Sequence, residues 1–124
     1  MKRSKPAGAA AVTQDYFTTL CRTTLGVDMV REYRFHEKRM WRFDYAIPAL
    51  RIAIEIDGGV WTNGRHNRAS GYLGDLDKFN EAAAHGWLVL KFTPQNQMRT
   101  ATLSLIRRAM AARQHEIGVW MKTP

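Results

Sequence analysis

Three acidic residues lie in the apolar stretch FDYAIPALRIAIEIDGG, which covers residues 43–59 of a chain with a formal net charge of +8. They are Asp44, Glu55 and Asp57. A carboxylate placed among isoleucines raises the free energy of the folded chain unless a positive group balances it. Mg²⁺ is commonly held by one or two carboxylates together with a substrate phosphate. These residue types therefore suggest a divalent-cation site that acts on a phosphate ester.

The run IAIEI at residues 52–56 predicts a strand that presents Glu55 and Asp57 on one face and its isoleucines on the other. Asp44 belongs to the preceding strand, and its position depends on the turn. A two-residue turn at Pro48 and the next residue places Asp44 diagonal to Glu55, whereas a four-residue turn centred one position later places the two acids directly opposite. Either register puts both within reach of one small cation, and a slip of one residue would separate them.

The same acids have a simpler interpretation as solvated surface ion pairs. Asp44 would then pair with Arg42 or Arg51, and Glu55 with a nearby lysine. The apolar neighbours of Glu55 favour the metal-binding interpretation, because an idle buried acid is costly.

The elements that position these acids follow from periodicity and from helix and turn signals. The sequence predicts a helix over 11–25 ended by Gly26, and a helix over 72–85 closed by Gly86. Pro48 suits a tight turn between two strands. We expect strands near 29–36, 40–47, 50–57 and 87–92 and a last helix over 102–117. The order α-β-β-β-α-β-α predicts an α/β or α+β sandwich around one mixed sheet.

The chain has 124 residues, which suits a single domain with its own core. We expect a flexible basic arm over 1–10, the domain over 11–117 and a C-terminal tail over 118–124. Nineteen Lys and Arg against eleven Asp and Glu favour a polyanionic partner, first of all nucleic acid. No apolar run approaches the ~18 residues of a membrane helix. The single cysteine, Cys21, fits a reducing cytoplasm and is expected to be a packed thiol.

The run RMWRFDYAIPALRIAIEIDGGVW, followed by GRH and by GYLGDLDKFNEAAAHGWLVLKFT, resembles the core of the PD-(D/E)XK nuclease superfamily. Within that superfamily it is most similar to the small phage-type and very-short-patch-repair-like endonucleases. The resemblance spans about residues 31–93 and includes the order of helices and strands. It implies a restriction-endonuclease-like α/β core.

By this resemblance Asp44 and Glu55 are the two metal-binding acids of the motif, holding Mg²⁺ or Mn²⁺. The motif's lysine belongs two residues after Glu55, where this chain has Asp57. Asp57 is then an extra ligand or holds a basic group. Lys78 on the following helix is the candidate replacement, and Asp75 is expected to hold it from position i−3. A plain surface ion pair explains the same spacing.

The remaining candidates are expected to contact DNA or to support the site. His66 is a candidate general acid or base, because the pKa of histidine ordinarily lies near working pH. Asn80 is expected to bridge the helix to the loop before it. The histidines at 36, 85 and 115 show no metal spacing in the sequence, and we assign them no chemistry. The predicted DNA-binding residues are Arg39, Arg42, Trp61, Arg65 and Arg68.

Together these features predict a cytoplasmic, divalent-metal-dependent DNA endonuclease, phage-derived, with a nicking or structure-specific role. A homodimer is possible. The alternative is a nucleic-acid-binding module that retains the nuclease fold without turnover, suggested by the absent lysine at position 57. A third interpretation, a basic structural protein, leaves Glu55 unexplained.

Overall fold

The computed structural model describes residues 14–58 and 68–122, which form one four-stranded sheet with helices on both faces. The strand order is β1-β2-β3-β4, with β1, β2 and β3 antiparallel in turn and β3 and β4 parallel. The predicted mixed sheet and the order α-β-β-β-α-β-α are confirmed. The elements are α1 (Tyr16–Leu25), β1 (Val30–Arg34), β2 (Arg42–Ile47), a 3₁₀ turn (Pro48–Leu50), β3 (Ile52–Ile56), α2 (Arg68–Ala84), β4 (Leu88–Phe92) and α3 (Thr100–Lys122).

Local hydrogen bonds fix the ends of α1. The Asp15 carboxylate accepts the N–H of Thr18 at 2.8 Å, and the Thr18 hydroxyl accepts the N–H of Asp15 at 2.8 Å. This capping box starts the helix at Tyr16, later than predicted. Gly26 ends it with φ 67°, a left-handed conformation that glycine adopts without strain.

The last helix is longer than the sequence suggested. It continues to Lys122, so the predicted helix end near residue 117 is wrong. Gly118 lies within the helix, and its backbone does not adopt the left-handed conformation with which Gly26 ends α1.

The turn between β2 and β3 sets the register of the hairpin. Pro48 opens a 3₁₀ turn, and Arg51 closes it with φ 51° and an N–H bond of 3.1 Å to the Pro48 carbonyl. Tyr45 consequently pairs with Ile54. The tight turn expected at Pro48 is confirmed, and the longer of the two predicted turns is the one the chain adopts.

Two buried clusters cover the two faces of the sheet. On one face α1 and α3 pack against the sheet through Phe17, Cys21 and Ile106, and on the other α2 packs through Ala82. Cys21 is fully buried, and burial raises the pKa of its thiol to about 12, which confirms a packed thiol. From Tyr45 to Ile54 the buried strand residues alternate between the two clusters: Tyr45, Ile47, Ile52 and Ile54 face α1 and α3, and Ala46 and Ala53 face α2 together with Phe43 and with Trp87, which precedes β4.

The β1–β2 pair changes faces part-way along its length. Tyr45 packs with the α1–α3 cluster, whereas Phe43, two residues earlier, packs with the α2 cluster. Strict alternation would put both on the same side. The change coincides with Glu32 in β1, whose φ of 52° is left-handed and bends the strand.

None of the helices in the described part of the chain is both long and apolar enough to cross a bilayer.

Candidate functional site

The structure brings Asp44 and Glu55 together. Extending the β2–β3 register by one step places the two acids directly opposite each other. Glu55 Oε2 accepts the backbone N–H of Asp44 at 2.9 Å, and Asp44 Oδ2 accepts the backbone N–H of Ile56 at 2.7 Å. Each carboxylate is thereby anchored to the strand that carries the other. Within the described residues Asp44 forms no ion pair with Arg42 or Arg51. Glu55 does pair with a lysine, as the surface-pair interpretation expected, but this pair with Lys78 is largely buried and not solvated.

The position of Asp44 depends on the bend in β1. The β1–β2 register places Asp44 across from Glu32, the residue with the left-handed backbone. Asp44 therefore sits where the two strands exchange faces, next to the half-buried end of β3. The alternation of apolar and polar residues in the sequence does not predict this exchange of faces.

Lys78 completes the cluster from α2. Its Nζ lies 2.5 Å from Glu55 Oε1, and only 15% of the Lys78 side chain and 12% of the Glu55 side chain are exposed. The ammonium also lies 5.7 Å from the ring centre of Phe43 and 5.3 Å from that of Phe79. The helix thus carries a cation over the sheet and into contact with the acid pair.

The electrostatics of Glu55 follow from this enclosure. Burial is the largest influence and raises the pKa of its carboxyl, and the nearby Asp44 charge raises the pKa further. The Lys78 ammonium and the Asp44 N–H lower it, and the net pKa stays above the ordinary value of 4.5. Additional positive charge at this position would stabilise the ionised acid.

Lys91 is a neighbour that the sequence reasoning did not assign. The parallel register of β3 and β4 places Lys91 beside Glu55, and its Nζ lies 3.6 Å from the ring centre of Phe79. Lys91 belongs to the LKF segment of the resemblance. Its proximity to Glu55 follows from the parallel register, which the residue pattern did not reveal.

Three further predicted residues are exposed to solvent. Asp75 is exposed on α2, and the ion pair of Lys78 in the described structure is with Glu55, so the expected Asp75 support is not what holds the lysine. Asn80 is exposed on α2. Asp57 is exposed one residue beyond β3, and its N–H bonds the Phe92 carbonyl at 2.7 Å.

Two of the predicted DNA-binding arginines, Arg39 and Arg42, lie on the β1–β2 hairpin. Arg39 is exposed and its guanidinium lies 4.1 Å from the ring centre of Trp41. Arg42 is exposed and pairs with Arg34 across the ladder. Arg68 is the first residue of α2. Trp61, Arg65 and His66 lie outside the described residues.

The fold also assembles a group that the sequence spacing did not suggest. His36, Glu81 and His85 place one possible ligand atom each within 4.8 Å of one another. Glu81 and His85 are one helical turn apart, a spacing visible in the sequence, but His36 joins them only through the packing of the hairpin against α2.

No protein-family model, curated protein or solved structure matches the chain. The structure itself shows an α/β fold with a four-stranded mixed sheet, and the restriction-endonuclease-like assignment stays a prediction.

Proposed function

We propose that this protein is a divalent-metal-dependent DNA endonuclease that hydrolyses phosphodiester bonds. The observation that carries the proposal is the meeting of Asp44, Glu55 and Lys78 across two strands and one helix. Two acids and a lysine are the residue types that the PD-(D/E)XK resemblance calls for. In this proposal Lys78 takes the place of the lysine that position 57 lacks.

The donor set fits Mg²⁺ or Mn²⁺. An ionised carboxylate offers about four acceptor positions. Asp44 uses one for the Ile56 N–H, and Glu55 uses one for the Asp44 N–H and one for Lys78. Both acids therefore keep oxygen lone pairs for a hard cation. Burial and the mutual repulsion of the acids, which raise the pKa of Glu55, are the conditions that a bound cation would relieve.

The residues divide the proposed reaction between them. When bound, the metal polarises the phosphodiester and lowers the pKa of water. Asp44 and Glu55 hold the ion, and Lys78 offers three N–H donors, of which one goes to Glu55. The other two N–H donors of Lys78 would orient the attacking water or stabilise the charge that develops on the phosphate. The attacking water gives up a proton to solvent as its oxygen bonds phosphorus and the P–O3′ bond breaks, which leaves a 5′-phosphate and a 3′-hydroxyl that takes its proton from solvent.

The excess of basic residues supports DNA as the substrate. With a formal net charge of +8, contacts to phosphates by residues such as Arg39 and Arg42 would position DNA without reading its sequence. Affinity should then fall steeply with salt. The resemblance favours a phage-type enzyme with a nicking or structure-specific role in the cytoplasm, and cutting both strands would call for a homodimer.

A non-catalytic DNA-binding module is the second candidate, and one observation favours it. Lys78 already neutralises Glu55 at 2.5 Å, and position 57 carries an acid. The cluster would then be a structural ion pair that stabilises the packing of α2 on the sheet.

A plasmid-nicking assay separates the two candidates. Supercoiled DNA is incubated with the protein and Mg²⁺ or Mn²⁺, with and without EDTA, beside Asp44→Asn, Glu55→Gln and the control Glu116→Gln, an exposed acid on α3. Metal-dependent nicking that both site variants lose and the control retains supports the endonuclease. Tight DNA binding without nicking under either metal supports the module, and nicking that persists in both site variants refutes the assignment of the acids.

A further inference from the structure

A second cluster of possible metal ligands lies further along α2 than Lys78. His36 follows β1, Glu81 lies in the last turn of α2, and His85 directly follows the helix, four residues after Glu81. His36 Nε2 is 3.4 Å from Glu81 Oε1, and the three ligand atoms lie within 4.8 Å of one another. Tetrahedral zinc ligands at bond lengths near 2.0–2.1 Å are about 3.3 Å apart. The first pair already has this separation, and the third ligand requires only a short approach.

His85 is oriented as a metal-binding histidine would be. Its Nδ1 lies 2.7 Å from the backbone carbonyl of Glu81. A carbonyl can only accept a hydrogen bond, so Nδ1 carries the proton and the lone pair of a neutral ring is on Nε2. Histidine ligands in metal sites typically donate their second N–H to a carbonyl or carboxylate in this way.

His36 is held differently. Its Nδ1 accepts the backbone N–H groups of Lys38 at 3.2 Å and Arg39 at 3.0 Å. The proton of the neutral ring is therefore on Nε2, directed at Glu81. A neutral imidazole has one nitrogen lone pair, so Nε2 cannot bind a metal while Nδ1 accepts these bonds. Metal binding moves the proton from Nε2 to Nδ1 through solvent, with no net proton release, and breaks both backbone bonds.

The cluster is accessible from a cavity. His36, Glu81 and His85 line a cavity of about 540 Å³ that also borders Tyr33 and Trp87. About half of the Glu81 side chain is exposed (47%). An ion can therefore reach the three ligands without unfolding the helix.

We propose that His36, Glu81 and His85 bind a transition-metal ion of the Zn²⁺ class, and that occupation opens the bend at residues 37–39. Imidazole ligands favour Zn²⁺ over Mg²⁺, whereas the Asp44–Glu55 pair offers oxygen only. The site does not depend on the proposed nuclease activity. It links metal binding to the hairpin that carries Arg39.

Calorimetric titration of the full chain with Zn²⁺, in millimolar Mg²⁺ to occupy all-oxygen sites, tests the site. We expect one equivalent to bind, and His85→Gln and Glu81→Gln to weaken the affinity at least about tenfold. His36→Asn should weaken it as well while its side-chain oxygen keeps accepting the N–H groups of the bend. His115→Gln, an exposed histidine on α3, is the matched control and should bind as the parent does.

The proposed site is overturned if His36→Asn or His85→Gln leaves the Zn²⁺ affinity unchanged. It is also overturned if His115→Gln lowers that affinity as much as the site variants do. Amide hydrogen exchange tests the coupled opening: Zn²⁺ should speed exchange at Lys38 and Arg39, whose N–H groups lose their acceptor. Unchanged protection at both amides with Zn²⁺ bound would overturn the opening. Neither readout involves DNA cleavage, so failure of this site is distinguishable from failure of the proposed nuclease.

Discussion

The two polar clusters beside α2 each contain a glutamate but differ in their other residues and in exposure. In the Asp44–Glu55–Lys78 cluster, Glu55 and Lys78 are 12% and 15% exposed and bonded directly to each other. In the cluster of His36, Glu81 and His85, the Glu81 side chain is 47% exposed. There His36 Nε2 lies 3.4 Å from Glu81 Oε1, while its Nδ1 accepts the backbone N–H groups of Lys38 and Arg39.

The difference shows that burial decides whether the protein itself must supply a countercharge for an acid. A buried carboxylate destabilises the fold unless the protein itself supplies a partner, and Lys78 is that partner for Glu55. Water can solvate Glu81, so the exposed cluster need not be neutralised by the fold. We therefore expect substitutions in the first cluster to change stability and those in the second to change ligand binding.

The largest expected effect is that of Lys78→Met. Removing the ammonium leaves Glu55 buried without its cation, which should lower the free energy of unfolding by about 3 kcal/mol at pH 7. Urea unfolding measures the change. Lys91→Met, at an exposed lysine beside the same acid, is the control and should change stability by less than about 1 kcal/mol. Equal losses of stability in the two variants would mean that the Glu55–Lys78 pair contributes no more to stability than the exposed Lys91 does.

Glu55→Gln should lower metal-dependent nicking at least about 100-fold, corresponding to about 2.7 kcal/mol of transition-state stabilisation. The change keeps the shape of the side chain but removes the charge that would hold the cation. Single-turnover nicking rates measure the effect, with Glu81→Gln, at an acid on α2 outside the proposed nuclease site, as the matched control. Slower nicking in Glu81→Gln alone would reverse the assignment of roles.

The pH dependence of the free energy of unfolding should report the raised pKa of Glu55. Because the pKa of Glu55 is raised in the folded protein, folding favours its protonated form. Its contribution is most favourable below the ordinary value of 4.5 and is lost as pH rises through the folded pKa. Subtracting the unfolding free energy of Glu55→Gln from that of the parent at each pH should give a difference that falls over this window. A difference that rises with pH would contradict the raised pKa.

The smallest expected effect is on the stability of His85→Gln. Among the described residues this exposed side chain hydrogen-bonds the Glu81 carbonyl and makes ring contacts with Phe35 and His36, so the free energy of unfolding in urea without metal should change by less than about 0.5 kcal/mol. A loss above about 1.5 kcal/mol would show that the exposed cluster stabilises the fold in the way the buried cluster does.

Much of the candidate site was visible in the sequence as residue types, but less of it as contacts. Asp44 and Glu55 stood out because acids in an apolar strand are unusual, whereas Lys78 was singled out only through the PD-(D/E)XK resemblance, as the replacement for the lysine that position 57 lacks. The expected Asp75 support failed, because Lys78 turns toward the buried acid and not along the helix surface. Lys78 lies on the face of α2 that packs against the sheet, so its partner is the buried Glu55. Asp75, three residues earlier, is on the exposed side of the helix.

The sequence alone determined the order of the elements, the stops at Gly26 and Gly86 and the turn at Pro48, because these depend on the conformational limits of single residues and on local periodicity. Tertiary structure decided the hairpin register, the exchange of faces at Glu32 and the approach of His36 to α2. These features join residues far apart in the chain. They are fixed only when the whole sheet and its covering helices pack together, which no local pattern records.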